Sequence, residues 1–439
     1  MKRNRRLFGL AAAACLLGTG LTPAAAKDLP TIDPIAAGLT KEGLARLDAG
    51  RELRSEDVPL DAGIAAVSEK HGIPGGVVLI ARKGGIAHFK SFGVSDRDTQ
   101  RPMRKDDIFR IYSMTKPVVS IALLTLYEEG KFQLNDPLEN YIPEFKNLKV
   151  YAGVDADGNM LLEDPKRKPT VLDAFRHTTC IGAGGGPEPV AKAFFDRKIW
   201  VNRIESLKEE MELIAEVPLL CQPGEGWVYG YDHDVQAYLV EYFSGKPLGQ
   251  YLQERIFGPL NMVDTGFGVP AEKRDRVARL HDVPEETPAF PAVDMRPSTY
   301  ERFAQHPFGT LGLWSTASDF ARLSQALLNG GELDGVRILG RKTVELMASN
   351  HLPPAVGSLG PAQGNYGTGY GLGLQVMIDP VADGVLSSVG AYGWDGAATT
   401  RFVIDPAEDM VVILMTQKAP YNERVLNDLQ TLVYQTIGK

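Results

Sequence analysis

The spacing of apolar positions changes several times along this chain, and each change marks an element. Residues 75–93, GGVVLIARKGGIAHFKSFG, place β-branched and aromatic residues between glycines around the turn KGG, which predicts two strands. From Ser113 the period lengthens. VVSIALLTLYEEGKF is apolar almost throughout until EEGK, the pattern of a buried helix closed by Gly130. Residues 146–170 turn polar and loop-like, with DADGN as a hairpin tip. Tyr231, Val235, Tyr238, Leu239, Tyr242 and Phe243 then recur at helical spacing and predict an amphipathic helix ending at SGKP. LGQYLQERIF and STASDFARLSQALLNGG predict further helices. The chain closes with the apolar segments YGLGLQVMI, ATTRFVID and DMVVILMT, read as strands, and a last helix, NERVLNDLQTLVYQTI. Strands at both ends with helices between them predict an α+β fold, its sheet built from the two termini. The α/β part covers about 27–140 and 290–439, and an inserted, mostly helical part about 141–289.

The first 26 residues read as an export signal rather than part of the fold. MKRNRR is basic, LFGLAAAACLLGTGL is apolar, and PAAAK offers a small-residue cleavage site after Ala26. RRLF also fits a twin-arginine signal. No later stretch has the 18 or more apolar residues of a membrane span. The expected location is therefore outside the cytoplasm, in the periplasm. Losing Lys2, Arg3, Arg5 and Arg6 takes the formal charge from −8 to −12, which gives no basic footprint for nucleic acid. Cys180 and Cys221 remain, and an oxidising compartment permits either a disulfide or two buried thiols.

The chemistry starts at IYSMTKPVVS, residues 111–120. Ser113 and Lys116, three apart, share one helical face, so the amine can reach the hydroxyl. Pro117 fits a first turn, where its missing N–H costs nothing. A serine at the mouth of a buried helix feels the positive end of the dipole, and its own N–H is free for an oxyanion. A lysine among apolar groups there is suited to act as a base. The plain reading is an N-terminal serine cap beside a solvated lysine, and S-x-x-K by itself does not decide between them.

Two more segments do. PLLCQPGEGWVYGYDHDVQAYLVEYFSGKPL presents Tyr229 before the amphipathic helix, and SSVGAYGWDGAATTRFVIDP sets a glycine-rich turn before a strand. In this order after S-x-x-K they resemble the serine β-lactamase/penicillin-binding-protein superfamily, in particular its class C-type branch and the family VIII carboxylesterases. LDAFRHTTCIG, RIFGPLNMVDTGF, GLWSTASDFARLSQALLNGGELDG and GYGLGL extend the resemblance over nearly the whole chain after the export segment. It implies a β-lactamase-like fold, with an antiparallel sheet flanked by helices. It also implies Ser113 as acyl-accepting nucleophile, Lys116 as its partner and Tyr229 as a proton relay. Trp394 to Ala397, WDGA, stand where relatives carry K-T-G or W-G-G. The N–H of Ala397 would join that of Ser113 in an oxyanion hole, with Gly396 giving the backbone room.

The departures bear on substrate. Trp394 replaces the lysine that helps bind a substrate carboxylate, and Tyr231 replaces the asparagine of Y-x-N. Large aromatic groups in place of polar anchors favour an uncharged acyl or alkyl group. Asp395 beside the oxyanion position either repels anionic substrates or points into a hydrogen-bonded turn. His177 reads as a structural residue, and His233 as either a core residue or one lining the cleft. No G-x-S-x-G elbow and no metal-ligand spacing occur, so neither a classical triad nor a metal or other cofactor is expected. DADGN lacks the glutamate of a calcium loop. The expected function is cleavage of a small carboxylic ester through an acyl-enzyme. The alternatives are β-lactam or D-alanyl-peptide hydrolysis, acyl transfer to another alcohol, and a catalytically silent binding protein on the same scaffold.

Overall fold

The computed structural model describes residues 28–41, 44, 63–199, 204–282 and 307–438. The export segment expected over 1–26 and the boundary expected near 290 lie outside these residues.

Eight strands form one antiparallel sheet: β1 (Gly75–Arg82), β2 (Gly85–Asp96), β3 (Arg101–Pro102), β4 (Thr368–Tyr370), β5 (Gln375–Met377), β6 (Tyr392–Gly396), β7 (Thr400–Asp405) and β8 (Met410–Thr416). Their order is β4-β5-β6-β7-β8-β1-β2-β3, so the first and last strands of the chain pair at the centre, Val77 opposite Met415 and Leu79 opposite Ile413. Successive side chains on a strand point to opposite faces. Val77, Leu79 and Ala81 accordingly join the main core, while Val78 and Ile80 pack on the other side. Both faces are covered, which is why β1 and β8 read as unbroken apolar runs rather than alternating ones.

Helices α1 (Ile64–Lys70) and α8 (Glu423–Tyr434) cover the second face with Val67, Val425, Leu426, Leu429 and Leu432. Helix α7 (Ala317–Leu328) covers the first, with the Phe320 ring 4.9 Å from that of Phe402 on β7. Beyond α7 lie α2 (Thr115–Glu128), α3 (Val171–Phe175), α4 (Glu188–Asp196), α5 (Leu207–Ala215) and α6 (Asp232–Ser244). Side-chain caps start several of them. Thr170 and Asp173 form a reciprocal capping box at α3, Ser206 caps α5, Thr316 caps α7 and Asn422 caps α8.

Some expectations shift in detail. YGLGLQVMI is split between two strands, the end of β4 and all of β5, because Gly373 turns the chain in the left-handed region between them. LGQYLQERIF begins as an α-helix over Leu248–Leu252 and widens to a π turn over Gln253–Phe257. The hairpin with its tip at DADGN is present, pairing Val150–Val154 with Met160–Glu163. Tyr231 precedes α6 as its cap, and Tyr242 is 52% exposed, so the tyrosine stripe is core packing only in part. Cys180 and Cys221 form a disulfide, 5.3 Å between Cα atoms.

Candidate active site

Ser113 sits at a break in the chain rather than inside a helix. Phe109–Arg110 pair with Trp314–Ser315, and the Ile111 N–H still donates to the Leu313 carbonyl at 3.1 Å. Tyr112 then swings into the left-handed region at φ +44°, one turn of 3-10 helix covers Tyr112–Met114, and α2 starts at Thr115. The helix start expected at Ser113 is therefore two residues later. The Arg110 guanidinium lies 4.5 Å from the centre of the Tyr112 ring and helps hold that backbone. The result leaves Ser113 partly exposed between two buried neighbours, with Pro117 in the first turn of α2, where no N–H is needed.

Lys116 is completely buried. Its Nζ donates to Ser113 Oγ at 3.0 Å and to the Thr310 carbonyl at 2.9 Å, and lies 4.5 Å from the centre of the Tyr229 ring. Tyr229 comes from the stretch before α6, which runs close to residues 177–182. The Val228 N–H donates to the His177 carbonyl at 2.9 Å, and a Cβ on Gly230 would fall 2.0 Å from the Ile181 oxygen. Trp394 on β6 donates its indole N–H to Tyr229 Oη at 3.3 Å. Ser113, Lys116, Tyr229 and Trp394 thus meet in one place, from three separate segments.

The end of β6 closes the site from the sheet side. A Cβ on Gly396 would lie 2.4 Å from the Ile111 carbonyl oxygen, so only glycine lets the strand lie against the segment carrying Ser113. Ala397 begins the turn that follows. Among the described residues, neither the Ser113 N–H nor the Ala397 N–H makes a backbone hydrogen bond. Two free donors on adjoining segments are what an oxyanion needs.

Two expected contacts fall elsewhere. Asp395, one residue from Trp394, points to the opposite face of the sheet, toward α8. There Arg401 donates to it twice at 2.7 Å and the Tyr421 hydroxyl at 2.6 Å. It is hydrogen-bonded, though on a strand rather than in the expected turn, and it pairs with Arg401 away from Ser113. Tyr231 packs its ring 5.6 Å from that of Phe194, with its hydroxyl 3.5 Å from the Ile199 carbonyl. Burial, with Glu210 and Asp234 nearby, pushes that phenol well above its ordinary range.

A layer behind Tyr229 was not read from the sequence. His177, His233, Trp227 and Tyr370 crowd there, with the His177 ring 4.9 Å from that of Tyr229 and 4.8 Å from that of His233. His177 Nδ1 lies 3.0 Å from Asp232 Oδ2, and Thr179 donates to Asp232 Oδ1 at 2.5 Å. Burial drives the His177–Asp232 pair to its net-neutral form, lowering the imidazole and raising the carboxyl, and Lys116 adds to the effect on the histidine. Burial, then His177 and Lys116, holds His233 neutral too. His233 is a core residue, wholly buried. The density of WVYGYDH, 227–233, was the one available signal for this layer.

Comparison with known proteins agrees with this architecture. The β-lactamase family model matches residues 60–435. Esterase EstB of Burkholderia gladioli is 29% identical over 407 residues, covering 89% of this chain and 94% of its own. The lovastatin esterase of Penicillium rubens is 28% identical over 327 residues, covering 70% of this chain and 78% of its own. Among solved structures, simvastatin synthase LovD of Aspergillus terreus superposes with a TM-score of 0.69 at 21% identity, over 92% of this chain and 98% of its own. With the family model spanning sheet, helices and the Ser113 turn alike, the chain belongs to the β-lactamase family and is a hydrolase of that family.

Proposed function

We propose that the protein cleaves small, uncharged carboxylic esters through an acyl-enzyme on Ser113. Lys116 takes the proton of Ser113 Oγ as that oxygen attacks the ester carbonyl, and the N–H groups of Ser113 and Ala397 take up the negative charge on the carbonyl oxygen. Collapse expels the alcohol, which leaves with a proton passed through Tyr229. Water, deprotonated by the same pair, then attacks the acyl group and frees Ser113. The observation that carries this reading is the 3.0 Å Lys116–Ser113 contact under the Tyr229 ring. Two relatives named esterases support it.

The substrate preference follows from Trp394. Its indole stands where a cation would otherwise help bind a carboxylate, and the buried rings of Trp227 and Tyr370 back the Trp394–Tyr229 pair from behind. Such a wall favours an apolar acyl or alkyl group over an anionic peptide or β-lactam. Export to the periplasm is part of the same proposal, and the Cys180–Cys221 disulfide supports it, since such bonds persist in oxidising compartments.

The test is a p-nitrophenyl ester panel run beside a chromogenic cephalosporin, with Ser113→Ala as control. Short-chain esters are expected to turn over, the cephalosporin slowly or not at all, and Ser113→Ala to lose on the order of 10³-fold or more. Rapid cephalosporin turnover would overturn the preference, and a fully active Ser113→Ala the nucleophile.

A further inference from the structure

Lys116 is held from two sides, by Ser113 Oγ and by the Thr310 carbonyl. Thr310 lies in neither helix nor strand, so something else must fix the direction of its carbonyl. The fixing group is Asp234, in the first turn of α6. The Thr310 backbone N–H donates to Asp234 Oδ1 at 3.1 Å, and the Thr310 hydroxyl donates to Oδ2. The preceding residue shows how close the two segments lie, because a Cβ on Gly309 would fall 2.0 Å from the His233 carbonyl oxygen.

Asp234 is fully buried, and the groups facing it come from four segments: Lys116 on α2, Glu210 on α5, Thr310, and Tyr231 at the start of its own helix. Burial pushes Asp234 up to about 6, against the donors of Thr310 and the influence of nearby Lys116. Glu210 is also fully buried, and among the described residues neither carboxyl oxygen has a hydrogen-bond partner. Burial first, then Asp234 and Glu209, raises it well above the carboxylate range. Of these two neighbouring acids, Asp234 has the hydrogen-bond donors of Thr310 to favour its charged form. The positive end of α6 favours that form too.

We propose that Asp234 is a positioning residue of the active site, clamping Thr310 so that the Thr310 carbonyl holds the Lys116 amine against Ser113 Oγ. The inference rests on Ser113 and Lys116 being the reacting pair. Asp234 itself touches no substrate. Its removal leaves Ser113 and the binding wall in place but lets the amine drift, and a misplacement of about 1 Å costs on the order of 10²-fold in rate.

The experiment measures kcat and KM for p-nitrophenyl butyrate between pH 5 and 9, for the parent, Asp234→Ala, Asp234→Asn, Thr310→Val and Ser113→Ala. Circular dichroism checks folding. Asp234→Ala is expected to lower kcat by about 10- to 100-fold while KM stays within about threefold. Thr310→Val, which loses the hydroxyl and keeps the backbone donor, is expected to lose about threefold to tenfold, and it keeps the test open if Asp234→Ala does not fold. In the parent, kcat is expected to fall as pH drops through about 6, because a protonated Asp234 can no longer accept both Thr310 donors. Asp234→Asn should lack that limb. If Asp234→Ala or Thr310→Val keeps the parental kcat and pH profile, or changes only KM, while Ser113→Ala is inactive, the clamp is overturned and the reading of Ser113 stands. An active Ser113→Ala overturns that reading itself.

Discussion

The bond between Trp394 and Tyr229 has a fixed direction. An indole N–H only donates, so the Tyr229 oxygen is its acceptor, and the phenol proton must point elsewhere. Trp394 therefore supplies more than an apolar wall: it aims the hydroxyl that the proposed cycle uses. Trp394→Phe keeps the ring and removes the donor, and kcat on p-nitrophenyl butyrate is expected to fall about tenfold with KM little changed. Trp394→Lys is expected to raise kcat/KM for esters bearing a carboxylate relative to neutral ones. The same panel reads both. Ser113, Lys116, Tyr229 and Trp394 were visible in the sequence because each lies in a short ordered motif. Thr310 and Asp234 were not. Thr310 is 194 residues from the lysine it holds, and Asp234 acts through it, so only the folded chain joins them. Asp395 was left open between two readings in the sequence, and only its strand position decides it, because neighbouring strand residues face opposite ways.

The elements were legible where one period ran long enough to exclude its rival. The buried α2 and the terminal α8 are of that kind, and so are the central strands. The breaks were harder, since Tyr112 and Gly373 change direction through single backbone angles that no periodicity encodes. One short element matters beyond its length. Asp173 in α3 accepts from Thr170, from Arg167 at 2.5 and 2.9 Å, from Arg176 at 3.0 Å and from the Thr178 hydroxyl at 2.7 Å. It thereby fixes the backbone on either side of His177. Burial alone would raise this carboxyl, but Arg167, Thr170 and Thr178 hold it down to about 2. Its folded value is below the unfolded one, so its stabilisation is complete above about pH 4 and fades as pH falls from there through about 2. Asp173→Asn is expected to cost about 3 kcal/mol at pH 7. It should also flatten the acid limb of stability between about pH 4 and 2, as measured by urea unfolding at several pH values.

At the scale of the whole molecule, the termini meet in the central strands and the helical part is threaded between them. The α+β layout was readable for that reason, since strands came first and last. The pairing of Cys180 with Cys221 was not, because sequence alone left two thiols equally open. The disulfide joins the segment after His177 to the one before Tyr229, 41 residues apart. A loop of that length gives about 4 kcal/mol of stabilisation in the chain-entropy model. Cys221→Ser is therefore expected to lower Tm by about 5 °C and to slow ester turnover by loosening the Tyr229 segment. Reduction followed by alkylation should add two labels to the parent only after the reductant is supplied. The aromatic wall has an optical consequence as well. Of the four tryptophans in the chain, Trp227 and Trp394 flank Tyr229, so half of the intrinsic emitters sit beside the candidate site. Formation and loss of the acyl group should then be visible as a rise and decay of fluorescence in a single turnover, with no label added.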